Sequence, residues 1–210
     1  MDQQKDIWNK IYDGVLNKMP TYDLWLDKYE KELMKSKDIP IIDLGCGSGN
    51  DTLYLIERGY EVISCDFSEE ALEKLSHYTN NLNIKCFDFK DGLPFENNST
   101  QVIISDLSLH YFTWNETQSI LREINRVLMK EGLFLCRVNS TNDENYGAGE
   151  GLSIEENYYN IEGKLKRFFN EKQLRELFKE WKIEYINENE INRYKKVKIA
   201  WEIAVKKLNK

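Results

Sequence analysis

Positive charge is in deficit in this chain: 29 lysines and arginines stand against 36 aspartates and glutamates, a formal net charge of −7 over 210 residues. Bulk binding of nucleic acid wants a basic face for phosphates, so the balance argues against that class of partner. Long apolar runs are missing as well, and no stretch approaches the roughly 20 residues of a membrane span. The start, Met1-Asp2-Gln3-Gln4-Lys5-Asp6, is polar and lacks the apolar core of a signal peptide. Cysteines are few, at positions 46, 65, 86 and 136. No two share metal-ligand spacing, so no metal site is expected. Each falls in or beside an expected strand, the pattern of buried free thiols in a reducing, cytoplasmic compartment. The only histidines are His77 and His110, which leaves little choice of a proton acceptor near neutral pH. No internal repeat and no low-complexity segment breaks the chain, and its length suits one domain with a sizeable core.

What is present is a glycine turn. Ile41-Ile42-Asp43-Leu44-Gly45-Cys46-Gly47-Ser48-Gly49 runs two branched apolar residues into an acid and then alternates glycine with small residues. This reads as a buried strand ending in a tight turn, and Asn50–Arg58 follows with helical character up to a stop at Gly59. Strand, glycine turn and helix open a nucleotide site, because glycine permits unusual backbone angles and close approach of a ligand to the main chain. A dinucleotide fingerprint, G-x-G-x-x-G, would place its last glycine at position 50, where Asn50 stands. The pattern here is D-x-G-x-G-x-G.

The rest of the chain extends the reading. Glu61–Asp66 predicts a second strand ending in an acid. Ser68 predicts an N-cap, with Glu69 and Glu70 suited to the helix dipole, for a helix running to about His77. Asn83–Phe87 is a third strand, followed by Asp88-Phe89, and Gln101–Asp106 a fourth. Ile120, Leu121, Ile124, Val127 and Leu128 mark an amphipathic helix ending at Glu131-Gly132, and Leu133–Val138 is a fifth strand. Alternation of this kind implies a parallel sheet with helices on both faces. Residues 1–38 read as helical, from one stripe of Ile7, Trp8, Ile11, Tyr12 and Val15 and another of Tyr22, Trp25, Leu26, Tyr29 and Leu33. Near the end, Asn170-Glu171-Lys172-Gln173 predicts a capped helix. Lys182–Asn187 and Lys198–Val205 then read as strands joined too closely for a helical crossover, hence antiparallel.

Asp43 through Gly49, followed by the acid Asp66 at the end of the second strand, resembles motif I of the class I S-adenosylmethionine (SAM) dependent methyltransferases, of the small bacterial methyltransferase-domain type. The antiparallel terminal hairpin points the same way, since a dinucleotide-binding sheet has a parallel sixth strand there. The resemblance implies an α/β, Rossmann-like seven-stranded sheet with an antiparallel last strand. It implies one domain over 1–210: a helical cover at 1–38, a SAM-binding core at 39–138, a cover insertion at 139–170, and a helix with the hairpin at 171–210. Carried over by position, Gly45, Cys46 and Gly47 would line the methionine moiety, and Asp43 would orient their loop. Asp66 would accept from the ribose hydroxyls, Phe67 would pack on the adenine, and Asp88 and Phe89 would bracket its amino group. Asp106 would lie near the methionine amino group. The implied product is S-adenosylhomocysteine (SAH).

Methyl transfer from a sulfonium needs alignment and desolvation more than acid–base groups. A base is needed only when the acceptor arrives protonated, and His110, just past the fourth strand, is the candidate. Trp8, Tyr12 and Tyr146 are the aromatic candidates for an acceptor pocket, while Trp25 and Tyr29 read as core. Gly147-Ala148-Gly149-Glu150-Gly151 reads as a hinge or connection, and Lys164-Leu165-Lys166-Arg167 as a solvated basic run, with acceptor binding as the alternative. No N-P-P-Y-type tetrapeptide follows the fourth strand, which weakens amino methylation of nucleobases or glutamine. The expected acceptor is a small molecule, with neither nucleic acid nor membrane as partner. Two other readings stay open at this point: a SAM-binding protein without transferase activity, and a nicotinamide-dependent oxidoreductase.

Overall fold

The computed structural model describes residues 3–14, 20, 23–80 and 82–208; Val15 and Tyr22 of the N-terminal stripes lie outside the described residues. The strands are β1 (Ile41–Leu44), β2 (Val62–Asp66), β3 (Asn83–Cys86), β4 (Thr100–Asp106), β5 (Leu128–Asn139), β6 (Leu152–Glu155), β7 (Tyr158–Ile161), β8 (Lys164–Arg167), β9 (Trp181–Ile191) and β10 (Lys198–Lys207). The α-helices are α1 (Gln3–Asp13), α2 (Glu30–Leu33), α3 (Asn50–Glu57), α4 (Glu69–Ser76), α5 (Trp114–Val127) and α6 (Glu171–Leu177).

Seven strands form one sheet in the order β3-β2-β1-β4-β5-β10-β9. The first five are mutually parallel, and β10 runs antiparallel to both β5 and β9. Side-chain alternation explains why both faces carry helices. Ile41, Val102, Ile104, Leu133 and Leu135 pack into one layer with Leu26, Leu33 and Leu55. Their neighbours Ile42, Ile103, Phe134 and Cys136 pack into the opposite layer with Ile120, Ile124 and Phe178. A strand buried on both faces reads as a continuous apolar run, as Ile41-Ile42 and Val102-Ile103-Ile104 do.

Local signals set the helix ends. Ser68 Oγ accepts from Ala71 N–H at the start of α4. Full capping boxes open α5 (Thr113 with Glu116) and α6 (Asn170 with Gln173), and each such cap stabilises by about 1 kcal/mol.

Three expectations change in detail. The helix expected up to Glu131 ends at Val127, and β5 begins at Leu128, fully buried beside Thr100. Met129–Gly132 then loops out, with Glu131 at φ +59°, before pairing resumes between Val102 and Leu133. The helical stripe over Trp25–Leu33 is broken into α2 flanked by single 3-10 turns, Asp27–Tyr29 and Met34–Ser36, although Trp25, Leu26, Tyr29 and Leu33 are buried. Cys46, Cys65 and Cys136 are buried thiols, but Cys86 is exposed because β3 is the sheet's edge.

The segment after β5 holds an antiparallel meander, β6-β7-β8. Among the described residues, no helix is long and apolar enough to cross a membrane. Because β1, β2 and β4 are parallel and in register, the residues that follow Leu44, Cys65 and Ser105 meet at one carboxyl edge. Open α/β sheets bind ligands there.

Candidate functional site

The turn after β1 is folded back onto β2. Gly45 N–H and Cys46 N–H both donate to Cys65 O, at 2.7 and 3.0 Å. Gly45 sits at φ +76°, and a Cβ on it would overlap Ser108 Cβ. Gly47 sits at φ +54°, and its Cβ would lie 2.5 Å from Tyr12 Oη. Glycine at these two positions serves conformation and close approach together. The result is a backbone surface bare of side chains, with Tyr12 of α1 laid across it.

Four aspartates surround that surface. Asp66 Oδ2 accepts from Gly47 N–H and its Oδ1 from Ser68 N–H, both at 2.9 Å. Burial raises its pKa against those two bonds. Asp43 Oδ2 accepts from Thr52 Oγ1 at 2.6 Å, which fastens β1 to the first turn of α3. Burial pushes Asp43 up to about 7, with Asp106 and Asp66 adding repulsion and the Thr52 bond opposing. Asp51 Oδ1 accepts from Trp25 Nε1–H at 3.0 Å. Its Oδ2 is buried with no hydrogen-bond partner. Burial, then repulsion from Asp106 and Asp43, raises Asp51 strongly.

Asp106 differs. Arg137 Nε and Nη2 grip it at 2.7 and 2.9 Å, and Arg193 Nη2 reaches Oδ2 at 2.6 Å. Arg137 Nη1 continues to Asp23 Oδ2 at 2.8 Å. Burial alone would raise Asp106, but the two guanidiniums outweigh it and hold the acid below its usual range. Its carboxylate is therefore already neutralised, while Asp43, Asp51 and Asp66 have no cation within ion-pair distance among the described residues. Three buried acids without counter-charge in a cleft mark a place for a cationic ligand.

These groups open into one cavity of about 520 Å³, within the range usual for small-molecule sites. Asp43, Gly45, Cys46, Gly47, Asp66, Phe67, Asp88, Phe89, Asp106 and His110 all line it. Asp88 Oδ1 accepts from Lys90 N–H and caps the short turn that carries Phe89. Phe89 is buried against Phe87 and Phe112. His110 is 2% exposed and its Nδ1 has no hydrogen-bond partner. Burial, then the charges of Lys198 and Lys166, hold it well below the usual histidine pKa. Trp8, Tyr12 and Tyr146 also line the cavity, whereas Trp25 and Tyr29 lie in the core.

Residues 42–136 match the family model of a methyltransferase domain. The likeness to methyltransferase domains thus covers β1 through most of β5, the stretch that carries the glycine turn. The chain is 32% identical over 148 residues to a tRNA N(3)-methylcytidine methyltransferase of Drosophila melanogaster, covering 64% of this chain and 46% of that one. It is 31% identical over 147 residues to a demethylmenaquinone methyltransferase of Lactococcus lactis, covering 64% and 58%. The chain thus spans about half the length of these curated relatives. In fold it resembles a SAM-dependent methyltransferase of Methanosarcina mazei at TM-score 0.73 and 20% identity, covering 85% of this chain and 97% of that one. The antiparallel β10 between β5 and β9 is the feature of the methyltransferase sheet that a dinucleotide-binding sheet lacks.

SAM, the cofactor that the sequence resemblance implies, carries positive charge at sulfur and at its amino group. The bare Gly45–Gly47 surface and the uncompensated Asp43, Asp51 and Asp66 fit such a ligand. Among the lining residues that the sequence reading did not single out as site candidates are Asp51, Arg193, Lys198 and Asn139. Asp51 had a signal, since it stands two places past Gly49 where the helix begins. The other three come from β5, the β9–β10 turn and β10, and no local pattern brings them to β1.

Proposed function

We propose that this chain binds SAM in the cavity at the carboxyl edge and transfers its methyl group to a small-molecule acceptor. The observation that carries the reading is the convergence of the Gly45–Gly47 backbone, the acids Asp43, Asp51 and Asp66, and the aromatics Phe67 and Phe89 on one cavity. Bound SAM supplies an electrophilic methyl on a cationic sulfur. Asp66 accepts hydrogen bonds from the ribose hydroxyls, and Asp43 and Asp51 set the field around the methionine end, beside which Asp106 lies neutralised by its arginines. Phe67 and Phe89 flank the adenine, and Asp88 accepts from its amino group. Cys46 contributes its backbone and its small size.

The protein's own work is positioning and exclusion of water. The core at 39–138 holds the cofactor, and the described parts of 1–38 together with 139–170 form the cover. Trp8 and Tyr12 arrive on α1, which is tied down by Lys5 to Glu69 at 3.1 Å and Gln4 Nε2 to Gly163 O at 3.1 Å. Where the acceptor carries a proton, His110 Nδ1 receives it. His110 is neutral at pH 7, as a base must be, and its depressed pKa makes it weak until local charge changes. The free cysteines suit a cytoplasmic setting.

Labelled methyl transfer tests the reading. The chain, incubated with methyl-labelled SAM, is offered a small-molecule extract, bulk tRNA and bulk protein in separate arms. Label in the small-molecule fraction is the expected result. Label in tRNA would align the chain with its Drosophila relative and displace the small-molecule assignment. SAH binding with no label in any arm would favour a SAM-binding protein without transferase activity.

A further inference from the structure

At the end of the cavity beside His110, two lysines from different elements face the same space. Lys166 comes from β8 and Lys198 from β10, and both line the cavity. Both are anchored on Tyr146: Lys166 Nζ donates to Tyr146 O at 3.3 Å, and Lys198 Nζ lies 4.6 Å from the Tyr146 ring centroid.

Their counter-charges are unequal. Lys198 Nζ pairs with Asp143 Oδ2 at 2.8 Å, and Asp143 Oδ1 is taken by Ile199 N–H. Lys166 has no carboxylate within 4.0 Å among the described residues. Asp143 and Glu150 act on Lys166 only from beyond ion-pair distance, and Asp106, which acts on Lys198, is held by Arg137 and Arg193. Burial and mutual repulsion lower the pKa of Lys166, and burial lowers that of Lys198 against its Asp143 bond. His110, whose buried Nδ1 has no hydrogen-bond partner, lines the same cavity.

Resting on the SAM-binding reading above, we infer that the methyl acceptor carries an anionic group, a carboxylate or a phosphate, that docks between Lys166 and Lys198 beside His110. A negative group there satisfies both ammoniums at once. It also removes the repulsion that weakens His110 as a base, so the base strengthens when acceptor is in place. The basic run Lys164–Arg167 is thereby divided. Lys164 is exposed, Arg167 is buried against Glu155 and the carbonyls of Phe112 and Glu156, and Lys166 serves the acceptor.

The experiment uses the full chain saturated with SAH, so that the cofactor's own carboxylate is already in place. Benzoate, phenyl phosphate and benzamide are titrated at constant ionic strength and followed by ligand-observed NMR. One of the two anions should bind at least tenfold tighter than neutral benzamide, and which one does so identifies the source of charge. Lys166→Met should abolish the preference, Lys166→Arg should restore part of it, and SAH affinity should stay within about threefold in both. Lys198→Met is a second variant, used where circular dichroism shows it folded, since it leaves Asp143 unpaired. Equal binding of benzamide, or an anion preference that survives Lys166→Met, overturns the inference. A tenfold loss of SAH affinity in Lys166→Met also overturns it, because the lysine would then serve the cofactor. Absence of SAH binding in the unaltered chain would instead remove the SAM reading beneath it.

Discussion

Asp106 and Arg193 meet across 87 positions of sequence, with Arg193 Nη2 2.6 Å from Asp106 Oδ2. The contact joins the end of β4 to the turn between β9 and β10, so the terminal hairpin closes one wall of the cavity. Arg137 completes the arrangement from β5, with its side chain only 4% exposed.

Asp106→Ala should therefore destabilise the fold by about 3–5 kcal/mol, because two buried guanidiniums lose their main counter-charge. Arg193→Met should cost less, since Arg137 still neutralises the acid. Urea unfolding of both variants checks the order. A fully stable Asp106→Ala would mean that the network is not a structural tie.

Asp66→Ala should lower SAH affinity tenfold to more than a hundredfold. The estimate follows from about 1.5–3 kcal/mol for each hydrogen bond to a charged group. The variant also loses the bonds to Gly47 N–H and Ser68 N–H, so stability should fall with affinity. Calorimetric titration of the folded variant decides it, and unchanged affinity would exclude Asp66 as the ribose ligand.

The glycine motif and both acids at strand ends were legible in the sequence because each is set by local geometry: a turn that tolerates only glycine, or a strand that must end. The terminal hairpin was legible because Glu188–Val197 is too short for a crossover. The meander β6–β8 was not, since its short, polar strands show weak alternation and lean on Tyr158 and Arg167 packing elsewhere. Lys166 read first as solvated surface, with acceptor binding only the alternative, for the same reason. Arg193 carried no signal, because its partner Asp106 is fixed by sheet topology rather than by sequence neighbours.

Gly45→Ala should destabilise by roughly 1–3 kcal/mol through its left-handed backbone and its collision with Ser108. Adding Ser108→Gly removes the collision and leaves the backbone strain. The double variant should thus recover part of the loss in thermal unfolding. No recovery at all would mean that the contact with Ser108 does not limit the turn.

SAM binding should release protons near neutral pH. Burial raises Asp43 to about 7 in the free protein, with Asp51 raised beside it. A cation favours their ionised forms, so affinity should rise with pH up to and slightly beyond 7. For the free protein the sign is opposite: between the ordinary aspartate pKa and about 7 the folded state holds a proton that the unfolded state lacks, so this group's contribution to stability falls as pH rises. Calorimetry in two buffers of different ionisation enthalpy counts the protons. Proton uptake, or affinity flat from pH 6 to 8, would contradict the assignment of these acids to the cationic end.

The most direct test of the central claim is a calorimetric titration of the full chain with SAH, with NADH as the control. The account predicts one site per chain, saturating in the roughly micromolar-to-millimolar range usual for enzyme ligands, and negligible heat with NADH. Saturable NADH binding with no response to SAH would contradict it.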